Sequence, residues 1–163
     1  MNLRQIVIFV LTFFLFLPAA VQAQSKNDLF VDVTLLSKHI GIIPQPLNEI
    51  NPGIGLSYFV SDNWELRGGA YYNSYKKTAL YLVANYIPFS TDWKDFSFNF
   101  GVAAGFVTGY KDSGITILGK SPIFYGILPM IAPNIAVLYK PINTRAIFLL
   151  LGNAVGLQIS YRL

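Results

Sequence analysis

The sequence predicts an all-β protein: an eight-stranded antiparallel up-and-down barrel of the kind that spans a membrane. Three observations predict it. Large apolar residues alternate with small or polar ones at a period of two along most of the chain, the pattern of strands. One face of that alternation carries Phe, Tyr, Leu, Ile and Val, and the other mostly Gly, Ala, Ser and Asn. A soluble sandwich would instead turn Lys, Glu and Thr toward water. The chain is also apolar, with a mean hydropathy of +0.47 and 12% charged residues, yet past its first two dozen residues no stretch is long enough for a membrane helix.

The opening "MNLRQIVIFVLTFFLFLPAAVQAQ" is set apart. Arg4 supplies a short positive region, Ile6 to Leu17 an unbroken apolar run, and Pro18 through Ala23 a small-residue exit. That is the pattern of a secretory signal peptide, with cleavage expected between Ala23 and Gln24. Its apolar core of about 12 residues falls short of the roughly 20 that a spanning helix needs. Residues 24–163 then form a single domain.

The strands follow in order. Phe30, Asp32 and Thr34 alternate with Val31, Val33 and Leu35 in the first. The second sets Ile54, Leu56, Tyr58 and Val60 against Gly53, Gly55 and Ser57, and the third sets Trp64, Leu66, Gly68, Ala70 and Tyr72 against Glu65, Arg67, Gly69 and Tyr71. A weaker fourth runs from Thr78 to Ile87. The fifth is the clearest, with Phe96, Phe98, Phe100, Val102, Ala104 and Phe106 against Ser97, Asn99, Gly101, Ala103 and Gly105. Pro122 to Ile131 and Asn134 to Lys140 are read as the sixth and seventh, divided by a bend near Ala132–Pro133. The eighth puts Val155, Leu157, Ile159, Tyr161 and Leu163 against Gly156, Gln158, Ser160 and Arg162. Strands of roughly 8 to 12 residues are long enough, when tilted, to cross the hydrocarbon layer. An even count closes the sheet with both termini on one side.

With the N-terminus in the periplasm, four links face outward: Lys38 to Asn51, Ser74 to Lys77, Tyr110 to Ser121 and Pro141 to Asn153. The opposite links are "SDN" at 61–63, "PFSTDWKD" at 88–95 and the bend near 132–133. Long outside and short inside is the outer-membrane pattern, so the expected location is the bacterial outer membrane. Charge follows the same division. The outer links, with the strand end at Lys140, hold Lys38, Lys76, Lys77, Lys111, Lys120, Lys140 and Arg145 against only Glu49 and Asp112. Lys26, Lys94 and Arg162 face Asp28, Asp62, Asp92 and Asp95 at the other end. A basic outer rim suits the phosphates of lipopolysaccharide, with Lys38, Lys76, Lys77 and Lys111 as the expected contacts.

Several chemistries are excluded. The chain has no cysteine and one histidine, so neither a disulfide scaffold nor a usual zinc site is available. No Gly-rich phosphate loop is present, no cofactor is implied, and the scattered basic residues form no nucleic-acid motif. What remains is His39 at the outer end of the first strand and Ser74 in "YYNSYKK" at the outer end of the third. In an up-and-down barrel those ends share a rim. A Ser–His pair is minimal equipment for acyl transfer, because imidazole takes the hydroxyl proton while a third group fixes its tautomer.

On these residues the sequence resembles the PagP-like lipid A palmitoyltransferases, small outer-membrane barrels. The resemblance lies in "SKHIG", "NEINPGIGLSYFVSDNWELRGGAYYNSYKKTALYLVANYIPF", "FNFGVAAGFVTGY", "ILPMIAPNIAVLYKPI" and "AVGLQISYRL", taken in order and spacing. It implies movement of an acyl chain from a phospholipid donor to lipid A, and insertion by the barrel-assembly machinery. It also implies a His in the first outer loop, matched by His39, and an adjacent Asp-Ser in the second, matched by Asn73 and Ser74. Asn73 thus stands where the family has a carboxylate. Its carbonyl can hold a ring N–H but supplies no charge, and Asp112 in the third link is a candidate replacement. The family's larger members also carry an N-terminal amphipathic helix, for which Gln24 to Asp28 leave no room.

In the family the barrel interior holds an acyl-sized slot. Gly53, Gly55, Gly69, Gly101, Ala103 and Gly105 either leave such space or let the strands pack closely. Pro44, Pro46, Pro122 and Pro129 either interrupt strand pairing to open a lateral path or punctuate loops. Two functions therefore stand: a lipid A acyltransferase using His39, Ser74 and Asn73, and a non-catalytic barrel with a surface-interaction or membrane-integrity role.

Overall fold

The computed structural model describes residues 25–40, 47–111, 113 and 123–163. The expected signal segment, Pro44, Pro46, Asp112, Lys120 and Pro122 lie outside the described residues. Eight strands follow one another: β1 (Leu29–His39), β2 (Ile50–Ser61), β3 (Trp64–Tyr72), β4 (Thr78–Trp93), β5 (Phe96–Val107), β6 (Leu128–Tyr139), β7 (Thr144–Leu151) and β8 (Ala154–Arg162). Each pairs antiparallel with the next, and β8 returns to β1, closing the barrel. Closure removes every sheet edge, which makes the fold compatible with lipid.

The alternation read from sequence is realised strand by strand. In β2, Ile54, Leu56, Tyr58 and Val60 are exposed while Ser57 and Phe59 are buried. In β5, Val102 and Phe106 face out and Ser97, Asn99 and Ala103 face in. The outside is thus a continuous apolar belt that would be insoluble in water and is matched to a bilayer. At the end bearing Leu29 and Arg162 the belt is bounded by exposed aromatics: Tyr58, Trp64, Tyr86, Trp93, Tyr139 and Tyr161. Trp64 and Tyr86 contact each other at 4.9 Å. Such a girdle marks the headgroup level of a membrane barrel.

The second half of the chain departs from expectation. Ala132 and Pro133 are not a bend; they lie inside β6, paired with Ala103 and Val102 of β5. The true connection to β7 is a 3-10 turn, Lys140–Ile142, closed by Asn143 in the left-handed conformation. Residues 144–151 are a strand rather than loop, and β4 extends to Trp93, so the expected link at 88–95 shrinks to Lys94 and Asp95. Pro133 accounts for the expected bend, and Pro129 precedes it in the same strand. Both belong to one parity of β6. Pairing with β5 continues past both, whereas pairing with β7 stops at Asn134–Leu149. The missing N–H groups therefore fall on the β7 side, where there is no ladder to break.

This shift moves two cations. Lys140 sits at the short-turn end, where its Nζ meets Asp92 at 2.8 Å and its N–H bonds to Asp95. Arg145 is inside the barrel and 1% exposed. Neither belongs to the loop-end rim. The described basic residues there are Lys38, Lys76, Lys77 and Lys111, and Lys38 is paired with Glu49 at 2.9 Å.

Inside, Arg145 donates to Glu65, Arg67 to Gln158, and Ser57 to Asp32. Arg67 Nε lies 3.9 Å from both Asp32 and Glu65. Asn85 ties Glu65 to Asn134. Two cations thus neutralise two carboxylates in mid-barrel. Phe30, Phe59, Ile87 and Leu138 pack together at the short-turn side, and Val83, Ala103, Ala132, Ile147 and Leu149 form an apolar wall backed by Tyr81, Met130 and Leu151. The interior glycines serve close packing rather than empty space. A Cβ on Gly55 would lie 2.5 Å from the Tyr81 hydroxyl, and one on Gly105 would lie 2.2 Å from the Leu82 carbonyl oxygen.

Candidate functional site

His39 reaches the interior only through a break in the alternation of β1. Phe30 and Asp32 face inward, and strict alternation would carry that face to Leu36 and Lys38, leaving His39 in lipid. Between Thr34 and Leu36 the register with both neighbours shifts: Thr34 pairs with Gln158 but Leu36 with Leu157. Leu35 is the extra residue of a β-bulge. Leu35 and Leu36 are both exposed, and the parity beyond them inverts, so Ser37 is buried and His39 half-buried. The Leu35-Leu36 doublet is the sequence signal that betrays the bulge.

Ser74 is delivered from across the rim by the turn 73–77. Asn73 builds that turn: its Oδ1 accepts the N–H groups of Tyr75 and Lys77, both at 3.0 Å. Its Nδ2 donates at 2.8 Å to the Gly109 carbonyl just beyond β5, where Gly109 has φ of 83°. The Ser74 carbonyl in turn accepts the Asn48 N–H from the link between β1 and β2.

These constraints bring His39 Nε2 to 3.0 Å from Ser74 Oγ, a hydrogen bond. The pair is extended by two residues that the sequence did not single out. Ser37 Oγ lies 3.2 Å from Ser74 Oγ and donates to Asn51 Oδ1 at 2.7 Å. Asn51 Nδ2 donates to the Tyr72 carbonyl at 3.0 Å. Ser37, Asn51, Asn73 and Ser74 are all buried. Asn73, expected to orient the imidazole, has both polar atoms engaged by backbone and is not joined to the ring. The other ring nitrogen, His39 Nδ1, is buried without a hydrogen-bond partner among the described residues. Asp112, the alternative carboxylate, lies outside them. A neighbouring aromatic pair, Tyr71 and Tyr110, shares a 2.8 Å hydrogen bond, and burial pushes the Tyr110 phenol above its usual range.

No group of acidic, histidine or cysteine side chains among the described residues makes a metal site. Chemically the arrangement offers a hydroxyl with an adjacent imidazole, at the loop end of a barrel whose outside is lipid-facing.

No protein-family model and no curated protein matches the sequence. Solved structures do. A de novo designed transmembrane β-barrel aligns with a TM-score of 0.52 and 16% identity, covering 86% of this chain and 98% of that one. The fold is that of a transmembrane β-barrel. The N-terminal barrel domain of Pseudomonas aeruginosa OprF aligns at 0.45 with 16% identity over 86% of this chain and all of that one. The Yersinia pestis outer membrane protein Ail aligns at 0.38 and 13%, covering 85% of this chain and 100% of that one. A small closed barrel with an apolar belt and an aromatic girdle is the architecture of the bacterial outer membrane.

Proposed function

We propose that this chain is an outer-membrane acyltransferase that moves an acyl chain from a phospholipid to lipid A. The observation that carries the reading is the 3.0 Å hydrogen bond between His39 Nε2 and Ser74 Oγ. In one form of the reaction, His39 takes the Ser74 proton as Oγ attacks the phospholipid ester. The lysophospholipid oxygen then leaves with that proton. A lipid A hydroxyl next attacks the acyl-Ser74 and gives its proton to His39, which returns it to the departing Ser74 Oγ and regenerates the serine. In the relay form, the lipid A hydroxyl attacks the phospholipid ester directly, Ser74 passes its proton to His39, and the lysophospholipid oxygen leaves with a proton from His39. The unpaired stretch between β6 and β7 above Asn134–Leu149 offers a path for the donor chain, and the apolar wall of Val83, Ala103, Ala132, Ile147 and Leu149 lies behind it. Lys76, Lys77 and Lys111 on the same end suit the phosphates of lipid A.

A non-catalytic barrel is the second reading, favoured by two observations. Asn73 is engaged by the backbone, and His39 Nδ1 has no partner among the described residues. Mass spectrometry of lipid A from cells expressing the barrel decides between them. The acyltransferase adds the mass of one acyl chain, and the addition is lost in His39→Ala and Ser74→Ala. Unmodified lipid A despite a folded, inserted wild-type barrel refutes the enzyme.

A further inference from the structure

The groups around Ser74 leave its hydroxyl hydrogen two acceptors, and the hydrogen bonds behind them choose between the two. The Tyr72 carbonyl can only accept, so the Asn51 amide must point Nδ2 toward it and Oδ1 toward Ser37. Ser37 has one hydroxyl hydrogen, and Oδ1 at 2.7 Å claims it. Ser37 therefore presents only lone pairs to Ser74 Oγ, 3.2 Å away. The Ser74 hydrogen points either to Ser37 Oγ or to His39 Nε2.

The two arrangements hold the same hydrogens but place the ring hydrogen differently. If Ser74 donates to Ser37, His39 carries its hydrogen on Nε2 and donates to Ser74, and Nδ1 is a bare lone pair. If Ser74 donates to His39, the ring hydrogen moves to Nδ1, which is buried without a partner among the described residues. A buried N–H without an acceptor is costlier than a buried lone pair. The first arrangement therefore wins in the resting barrel, and it aims the hydroxyl away from its base.

We propose that Ser37, held by Asn51, is a positioning residue: it keeps the Ser74 hydroxyl hydrogen and thereby holds His39 in its Nε2–H form until Nδ1 gains an acceptor. This deepens the acyl-transfer reading and rests on it for the consequence in rate alone; the tautomer is a property of the folded barrel.

His39 is the only histidine in the chain, so ¹⁵N-histidine labelling of the tag-free barrel in detergent micelles gives a single imidazole. The spectrum is read from the neutral ring, in which one nitrogen carries the hydrogen and the other is bare. The wild type is expected to show Nε2 protonated and Nδ1 bare. Ser37→Ala leaves the Ser74 hydrogen no acceptor but His39 Nε2, so the ring shifts measurably toward its Nδ1–H form; Ser37→Thr retains a hydroxyl and keeps the wild-type pattern. Asn51→Leu frees the Ser37 hydrogen to face Ser74 and shifts the ring in the same direction as Ser37→Ala, which keeps the test open if one variant does not fold. Labelling of Ser74 by a fluorophosphonate probe is expected to be several-fold faster in Ser37→Ala. A wild-type ring protonated on Nδ1, or a tautomer identical in wild type, Ser37→Ala and Asn51→Leu, overturns the inference. If the tautomer shifts in the variants while lipid A stays unmodified in the wild type, the role of Ser37 stands and the acyltransferase reading falls.

Discussion

Replacing Arg145 by alanine separates two physical pictures of this residue by several kcal/mol. Counted as a loop cation, Arg145 would matter by less than about 0.5 kcal/mol, as surface substitutions do. In the structure it is fully buried, is hydrogen-bonded to Glu65, lies 3.8 Å from Asp32 and stacks its guanidinium 3.9 Å over the Phe30 ring. Arg145→Ala strands two buried carboxylates with one remaining arginine. Breaking a buried pair costs about 3–5 kcal/mol, and the lost stacking belongs inside that figure because the terms are not additive. At 1.4 kcal/mol per decade, the unfolding equilibrium shifts by roughly a hundredfold to a few thousandfold. With a urea slope of about 1–3 kcal/mol/M, the midpoint falls by at least about 1 M. Urea titration in micelles, followed through Trp64 and Trp93, measures it. Lys140→Ala is the control: its pair with Asp92 is partly exposed and contributes no more than about 1 kcal/mol. Glu65→Met/Arg145→Met should recover most of the loss, because apolar replacement of a whole buried pair is often neutral or better. An Arg145→Ala midpoint indistinguishable from that of Lys140→Ala refutes the buried network.

Two further substitutions bear on the site and the surface. Asn73→Asp introduces the carboxylate expected beside Ser74 but places an oxygen where Nδ2 now donates to the Gly109 carbonyl; it is expected to destabilise by about 1–3 kcal/mol without raising lipid A acylation. Increased acyl transfer in that variant shows that the carboxylate serves the ring and not the turn. Leu56→Arg, on the outer face halfway along β2, is expected to cost about 2–4 kcal/mol of barrel stability in lipid vesicles, and a neutral result there argues against a lipid-facing belt.

The sequence by itself determined the strand period, the lipid-facing side of β2, β3, β5 and β8, and the membrane-barrel class, because side-chain alternation is a local property of extended backbone. It placed β1, β2, β3, β5 and β8 near their observed positions, and it identified His39 and Ser74 as residues of one rim. It misplaced the sixth and seventh strands, because Pro133 reads locally as a break. Whether a proline breaks a ladder depends on which neighbour its missing N–H would have faced, and that is fixed by the β6–β7 register. The fate of Arg145 followed from the same register. The site was settled later still. Strict alternation sends His39 to lipid; the bulge at Leu35, set by pairing with β2 and β8 together, turns Ser37 and His39 inward. Asn73 looked like a residue for the imidazole and proved to be the clamp of its own turn, because its partners at Tyr75, Lys77 and Gly109 lie where only the folded chain puts them. Local chemistry chose the candidate residues, and long-range register decided which of them meet.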